Sequence, residues 1–188
     1  MAFNAHWELE DLARRRGLPL DHLVLQFRRD FAYMVESCAV FRLRVADSGN
    51  VFRLFDAEGG EIYPPSEAGL YAIFSAAGFL YCGEATDLCR RQIKDPDNTA
   101  DSTKRFSNQG RAVLKLVLHR GWAERFGIEP LFIQMYAATT PLEGGDTFER
   151  RYSVSTSSKS LEGAASLFVH GLFPRMVARA RALRHPAG

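Results

Sequence analysis

Two tyrosines and an arginine between residues 69 and 92 are of types that could take part in phosphodiester hydrolysis. A Gly-Leu-Tyr triplet ends at Tyr71, a Tyr-Cys-Gly triplet begins at Tyr81, and Arg91 follows in a charged segment. Hydrolysis needs a group that deprotonates water, a cation for the charge developing on the phosphate, and usually a metal ion. An arginine can bind a phosphate through two parallel hydrogen bonds. A tyrosine, with a pKa of about 10, needs a nearby cation to act as the base.

The two triplets must be held on neighbouring strands. "GLYAIFSAAGFLYCGE" predicts two strands joined by a short Ala-Gly turn. Because side chains alternate along a strand, Tyr71 and Ile73 face the same side of the sheet. An antiparallel neighbour would bring Tyr81 to the same edge of a cleft as Tyr71. Gly69 and Gly83 lack a Cβ and therefore allow a backbone or a phosphate to approach closely.

A helix must then position the arginine. "ATDLCRRQIK" predicts its start, with Thr86 or Asp87 as N-cap, and Arg91 lies on it. Each residue also has an ordinary explanation. The tyrosines could be strand aromatics that pack under helices, and Arg91 could be a surface residue paired with Asp87.

This segment resembles a GIY-YIG nuclease domain over roughly residues 67–177. The two triplets match the GIY and YIG signatures, and "GEATDLCRRQ" is similar to the "GxAxDLxxR" continuation, which gives Arg91 the role of the catalytic arginine. The resemblance implies an α/β fold with a small three-stranded antiparallel sheet flanked by helices. It also implies a metal-dependent DNA endonuclease, restriction-type or from a mobile element, that uses Mg²⁺ or Mn²⁺. Tyr71, Tyr81 and Arg91 would be catalytic.

The resemblance further implies a glutamate on a later helix, and Glu162 is the first candidate. "LEGAASLFVHGLFPR" resembles the family's "LExxLI…P.YN" helix, which we expect to end at Pro174, and Glu162 would be catalytic and hold the metal ion. Glu149 is the second candidate, in a stretch that we interpret as loop or strand. An acid in the first turn of a helix is also stabilised by the helix dipole alone.

Two positions depart from the family pattern. Asp95 stands where many members have a histidine one turn after the arginine, and Val177 lies near the position of a usual asparagine. The identity of the general base therefore stays open. A catalytically degenerate nucleic-acid-binding module of the same fold is the alternative function. A protein-interaction domain with core tyrosines is a third.

Positive charge is concentrated in the second part of the chain. Residues 1–65 have 8 Lys/Arg and 10 Asp/Glu, a net charge of −2, whereas residues 66–188 have 16 and 12, a net charge of +4. Arginines follow at near-helical spacing after residue 174, which indicates either a phosphate-contacting face or a solvated helix whose arginines complement its own dipole. The basic residues that we expect to contact DNA are Arg90, Lys94, Lys104, Arg105, Arg175 and Arg179.

The first 65 residues predict an α+β extension. A helix over 5–16 and a second from Pro19 form a pair whose spacing, through Ala13, Gly17 and Leu23, also fits a helix-turn-helix unit, although a packing pair is the commoner result. A β-hairpin or small meander follows, and "PPSEAG" marks a boundary. We therefore divide the chain into an extension, 1–65, and a nuclease-like domain, 66–188.

Composition limits the remaining classes. The hydrophobic fraction of 46% supports a core, and three cysteines without a CxxC pair indicate a reduced, intracellular protein. The N-terminus lacks the features of a signal peptide, and no apolar run is long enough for a membrane span. We expect a cytoplasmic protein with DNA as its partner and no membrane, and a homodimer stays open. The histidines and cysteines lack the spacing of a zinc site.

Overall fold

The computed structural model describes residues 7–45, 52–85, 87–89, 130–152 and 162–182. The helices are α1 (Trp7–Arg16), α2 (Leu20–Ser37), α3 (Phe148–Tyr152) and α4 (Glu162–Ala182). The strands are β1 (Val40–Val45), β2 (Phe52–Phe55), β3 (Glu61–Ile62), β4 (Gly69–Ser75), β5 (Phe79–Ala85) and β6 (Leu131–Ala137). The mixed α/β class with an antiparallel sheet is confirmed.

The first two helices form the predicted pair. α1 ends at a glycine with positive φ, Gly17 (φ 64°), where the N–H of Leu18 bonds to the carbonyl of Ala13 at 3.0 Å. This αL termination costs glycine nothing, because glycine has no Cβ. Pro19 then precedes α2 in extended backbone, as its fixed φ favours. Leu12 of α1 and Leu23 of α2 are buried in one core cluster, so the pair packs into the body of the protein.

The prediction of a three-stranded sheet is wrong, because the sheet has six strands in the order β3-β2-β1-β6-β4-β5. β4, β5 and β6 pair as expected, but β1 also pairs antiparallel with β6, with Phe41 opposite Ile133. The free edge of β6 offers unpaired N–H and C=O groups, and the N-terminal meander of β1, β2 and β3 satisfies them. One sheet thus contains strands from both sides of residue 65. The division of the chain into two domains at this residue stays a prediction.

Both faces of the sheet are apolar and buried. Because side chains alternate, β4 contributes Leu70 and Ala72 to one face and Tyr71 and Ile73 to the other. The first face belongs to the core cluster that contains side chains of all four described helices. The second face forms a separate cluster of sheet residues and Leu88. The two tyrosine-bearing strands therefore separate two cores.

The prediction that the last helix ends at Pro174 is wrong, since α4 continues to Ala182. A proline inside a helix removes one hydrogen bond and crowds the preceding turn, at a cost of about 3 kcal/mol. Met176, Val177 and Ala180 beyond it are nevertheless buried. Burial of side chains the size of Met176 and Val177 stabilises by about 1.5–3 kcal/mol each and offsets the proline. Within the described residues, no helix is long and apolar enough to cross a membrane.

Candidate active site

The two triplets lie side by side on an antiparallel pair. β4 and β5 are hydrogen-bonded neighbours, with Tyr71 opposite Gly83 and Ile73 opposite Tyr81. The backbone positions of the two tyrosines are thus diagonal neighbours across the pair, a spacing of roughly 7–8 Å. The predicted adjacency of the two strands is confirmed. The side chain of Tyr81 lies outside the described residues, so its contact with Tyr71 stays a prediction.

Gly69, the first residue of the Gly-Leu-Tyr triplet, has no room for a side chain. A Cβ built there would lie 2.5 Å from the carbonyl oxygen of Tyr136, 2.9 Å from Cδ1 of Leu88 and 3.0 Å from Cα of Ala137. Two of these atoms belong to the backbone of β6 and cannot move without moving the strand. The glycine therefore lets Leu88 and β6 approach the start of β4 closely.

We expect Gly69→Ala to lower the free energy of unfolding by about 1–3 kcal/mol, the usual cost of overpacking a tight site. Urea denaturation followed by circular dichroism measures this change. Gly78→Ala is the matched control, because a Cβ at Gly78 meets nothing within 4 Å. The control is expected to stay within about 0.5 kcal/mol of the natural protein. Equal losses in the two variants would contradict the packing role of Gly69.

The turn at 87–89, which begins the predicted arginine helix, is fixed to the segment before β4. The N–H of Leu88 donates to the carbonyl of Glu67 at 2.8 Å, and the N–H of Cys89 donates to the carbonyl of Pro65 at 3.2 Å. The hydroxyl of Ser66 donates to Oδ2 of Asp87 at 2.9 Å. These bonds hold the chain close to Gly69 just before residues 90 and 91. Arg90 and Arg91 themselves, like Thr86, lie outside the described residues.

Tyr71 is 1% exposed and belongs to an apolar cluster with Ile73, Ile133 and Met135. The packing role considered from sequence is thus observed for its ring. The described C-terminal part of α4 buries Met176 in the other core cluster, with Leu70 and Ala72. Tyr71 and this part of the helix therefore contribute to different clusters.

Glu162 begins α4, and its side chain lies outside the described residues. The meeting of Tyr71, Arg91 and Glu162 at one site stays a prediction. Glu149 has a defined position in the first turn of α3, where the sequence had favoured loop or strand. Its N–H donates to the carbonyl of Ala138 at 2.8 Å, and the N–H of Ala138 donates to the carbonyl of Ala68 at 2.8 Å. Its backbone is thus close to the start of β4, and its side chain is exposed.

The expected DNA-contacting arginines of α4 are engaged with α2. Arg179 donates to the carbonyl of Val35 at 2.8 Å, and Arg175 forms a salt bridge with Glu36 at 3.4 Å. The last carbonyls of a helix lack partners within the helix and carry partial negative charge, so a guanidinium there is favourable. Arg179 thus stabilises the end of α2. Arg90, Lys94, Lys104 and Arg105 lie outside the described residues.

A buried polar network at the end of α2 had no signal in the sequence. Nε2 of Gln134, in β6, donates to the carbonyls of Val35 at 2.9 Å and Cys38 at 2.7 Å. The hydroxyl of Tyr136 donates to Oε1 of Gln134 at 2.6 Å. Burial raises the pKa of Tyr136, which keeps it a hydrogen-bond donor. The network satisfies its own buried groups, as a structural network does.

A second network joins α2 to α3 and is called here the Asp30 network: Asp30, Arg151 and Tyr152. Both carboxylate oxygens of Asp30, which is 6% exposed, accept from Nη1 of Arg151 at 2.9 Å. Oδ2 also accepts from the hydroxyl of Tyr152 at 2.6 Å. Burial, and then the neighbouring Asp30 carboxylate, raise the pKa of Tyr152. Arg16 of α1 donates to the backbone carbonyls of Arg150 and Arg151. The network therefore ties three helices together.

Metal-binding groups were sought across the part of the chain that the structure describes. There, no group of three or more His, Cys, Asp or Glu side chains could hold a metal ion. Comparisons with models of known protein families, with curated protein sequences and with solved structures gave no match. The function of the chain is therefore inferred from its own residues and from the resemblance of its two triplets to the nuclease signature.

Proposed function

We propose that this chain is a metal-dependent DNA endonuclease of the GIY-YIG type, with restriction of foreign DNA as its most suitable role. The observation that carries the proposal is the pairing of the two triplets, with Tyr71 opposite Gly83 on adjacent antiparallel strands. The close packing at Gly69 adds a reason for the glycine of the first triplet. The bonds from Leu88 and Cys89 to residues 65–67 hold the chain beside the same strand just before the segment predicted to carry Arg91.

The proposed roles follow from the chemistry of each side chain. Arg91 would bind the phosphate and stabilise the negative charge of the pentacovalent transition state. Tyr71, with Tyr81 as its diagonal neighbour, would position the attacking water or accept its proton, provided that a cation lowers its pKa. The close backbone spacing of the two tyrosine positions is consistent with a shared task.

We propose that Glu162 would hold a Mg²⁺ ion. The described residues contain no cluster of three metal-binding side chains. Mg²⁺ usually binds proteins through one or two carboxylates, with water and substrate phosphate as its other ligands. When bound, it would supply positive charge beside the leaving oxygen. Glu162 would be its protein ligand, and Mn²⁺ would serve equally.

A nucleic-acid-binding module without catalysis is the second candidate, and the burial of Tyr71 is the observation that favours it. A tyrosine that is 1% exposed can serve as a core residue alone. Asp95 and Val177, at positions where the family has a histidine and an asparagine, agree with such a loss.

Incubation of supercoiled plasmid with the purified chain separates the two candidates. We expect nicked and linear products in Mg²⁺ or Mn²⁺, and none when EDTA is present, since the proposed hydrolysis depends on the metal ion. Agarose gels quantify both products. Retention of plasmid in a gel-shift assay without cleavage in either metal would favour the binding module. If the chain neither bound nor cleaved the plasmid, both candidates would be overturned.

A further inference from the structure

An open groove of about 650 Å³ lies between α2 and α4. Its apolar side is formed by Leu25, Ala32, Gly171 and Leu172. Leu25 is 57% exposed and lies on the side of α2 opposite to the side buried in the core. The groove is thus open to solvent and partly apolar. Gly171 leaves free space in it, because a Cβ at this position would meet nothing within 4 Å.

Three arginines line the same groove: Arg28 and Arg29 from α2 and Arg175 from α4. Arg28 and Arg29 are exposed and have no ion-pair partner among the described residues. Arg175 contacts Glu36 at 3.4 Å, and both side chains are about half exposed, at 58% and 50%. Exposed pairs of this kind are weak, so Arg175 can exchange Glu36 for another anion at little cost. The described lining of the groove therefore contains three guanidinium groups and no carboxylate, and among the three Glu36 is in contact only with Arg175.

We propose that this groove binds the phosphate backbone of DNA, an inference that rests on the proposed function. Guanidinium groups match phosphate geometry, and three of them along one open groove suit a linear polyanion that contacts them together. Gly171 is nine residues after Glu162 on the same helix, a rise of about 14 Å. At about 3.4 Å per nucleotide along one strand, this distance corresponds to roughly four nucleotides. A strand cleaved near Glu162 could therefore continue into the groove.

The inference assigns DNA binding to the N-terminal extension. Arg28 and Arg29 belong to residues 1–65, the part of the chain to which the nuclease resemblance does not extend. It also changes the DNA-contacting face expected from sequence. Arg175 keeps that role, Arg179 is replaced because it bonds to the carbonyl of Val35, and two arginines of α2 are added.

The test measures binding of the full chain to a fluorescein-labelled duplex by anisotropy, in EDTA and over a range of salt concentrations. Each phosphate contact contributes about 0.9 to the slope of log affinity against log salt. Arg28→Gln with Arg29→Gln is therefore expected to flatten the slope by about 1.8 and to weaken binding to unrelated sequences alike. The matched control is Arg14→Gln with Arg15→Gln, an adjacent, exposed pair on α1 that has the same charge change outside the groove. An equal slope change in both double variants would overturn the groove.

A second variant tests the same groove at Gly171. Gly171→Glu adds a carboxylate where there is free space, and it improves helix propensity, so the fold is expected to survive. We expect it to weaken DNA binding at least tenfold, while Gly171→Ala leaves binding unchanged. Unchanged affinity in Gly171→Glu would overturn the inference.

The outcomes also separate the groove from the proposed activity. If the natural chain cleaves no plasmid in Mg²⁺ but Arg28→Gln/Arg29→Gln flattens the salt slope of DNA binding, DNA binding by the groove would be supported and the nuclease proposal overturned. Cleavage in Mg²⁺ with an unaffected slope in Arg28→Gln/Arg29→Gln would support the nuclease and overturn the groove. A natural chain that binds no duplex at any salt concentration would overturn the groove directly.

Discussion

Glu162→Gln is expected to reduce Mg²⁺-dependent plasmid cleavage by at least a thousandfold, which corresponds to about 4 kcal/mol of lost transition-state stabilisation. The amide keeps the shape of the side chain but loses the negative charge that the proposed metal ion needs. Binding of duplex DNA is expected to stay the same or to improve, because a charge that repels phosphate is removed. Initial rates of supercoiled plasmid loss and anisotropy titrations measure the two effects separately.

Glu149→Gln is the comparison that makes the first prediction specific. Glu149 is exposed and, like Glu162, lies in the first turn of a helix, and the substitution removes the same single charge. We expect this variant to keep nearly full cleavage. The opposite pattern, with Glu149→Gln inactive and Glu162→Gln active, would move the proposed metal ligand to α3, whose start is hydrogen-bonded to Ala138 at the end of β6. Full activity in both variants would exclude a single-glutamate metal site at either position.

The second large effect is expected in the Asp30 network, where Asp30→Ala should lower the free energy of unfolding by about 3–5 kcal/mol. The alanine removes the buried carboxylate from the Arg151 guanidinium, which is 17% exposed, and leaves it only the more exposed Asp146 at 3.4 Å. It also removes the acceptor of the Tyr152 hydroxyl. A mostly buried charge that loses its closest partner is costly, because it has given up most of its hydration and keeps only a weaker, more solvated ion pair. Urea denaturation followed by tryptophan fluorescence and by circular dichroism gives the change.

Two further variants define the origin of that loss. Asp30→Asn keeps an acceptor for Tyr152 but removes the charge, and its loss is expected to be intermediate. Asp146→Ala removes the other carboxylate near Arg151, at 3.4 Å, but Asp146 is more exposed to solvent. Its effect should be a small fraction of that of Asp30→Ala. Comparable losses from Asp30→Ala and Asp146→Ala would show that burial of the ion pair is not the cause.

The part of the candidate site that depends on local sequence, namely its two paired strands, was predictable. Two apolar runs joined by a short Ala-Gly turn were enough to predict that β4 and β5 pair. Because side chains alternate along any strand, Tyr71 was also predicted to share a face with Ile73. The depth at which Tyr71 is buried had no such signal, because burial depends on what packs over the strand. Asp30 gave a weak signal, as an acid beside Phe31 and three residues after Phe27 on the apolar side of α2. Its partner Arg151, in a segment interpreted as loop or strand, could not be identified.

The sequence by itself determined the elements whose stability is local. Gly17 ends α1, Pro19 precedes α2, and period-two alternation defines β1 and β2, since each depends on residues within one or two turns or across one hairpin. Only the tertiary structure decided that β1 pairs with β6, that α4 continues past Pro174, and that Arg179 bonds to the carbonyl of Val35. Each of these joins residues far apart in the chain. Their free energy comes from edge pairing, burial and charge at short distance in space, and no local pattern records that distance.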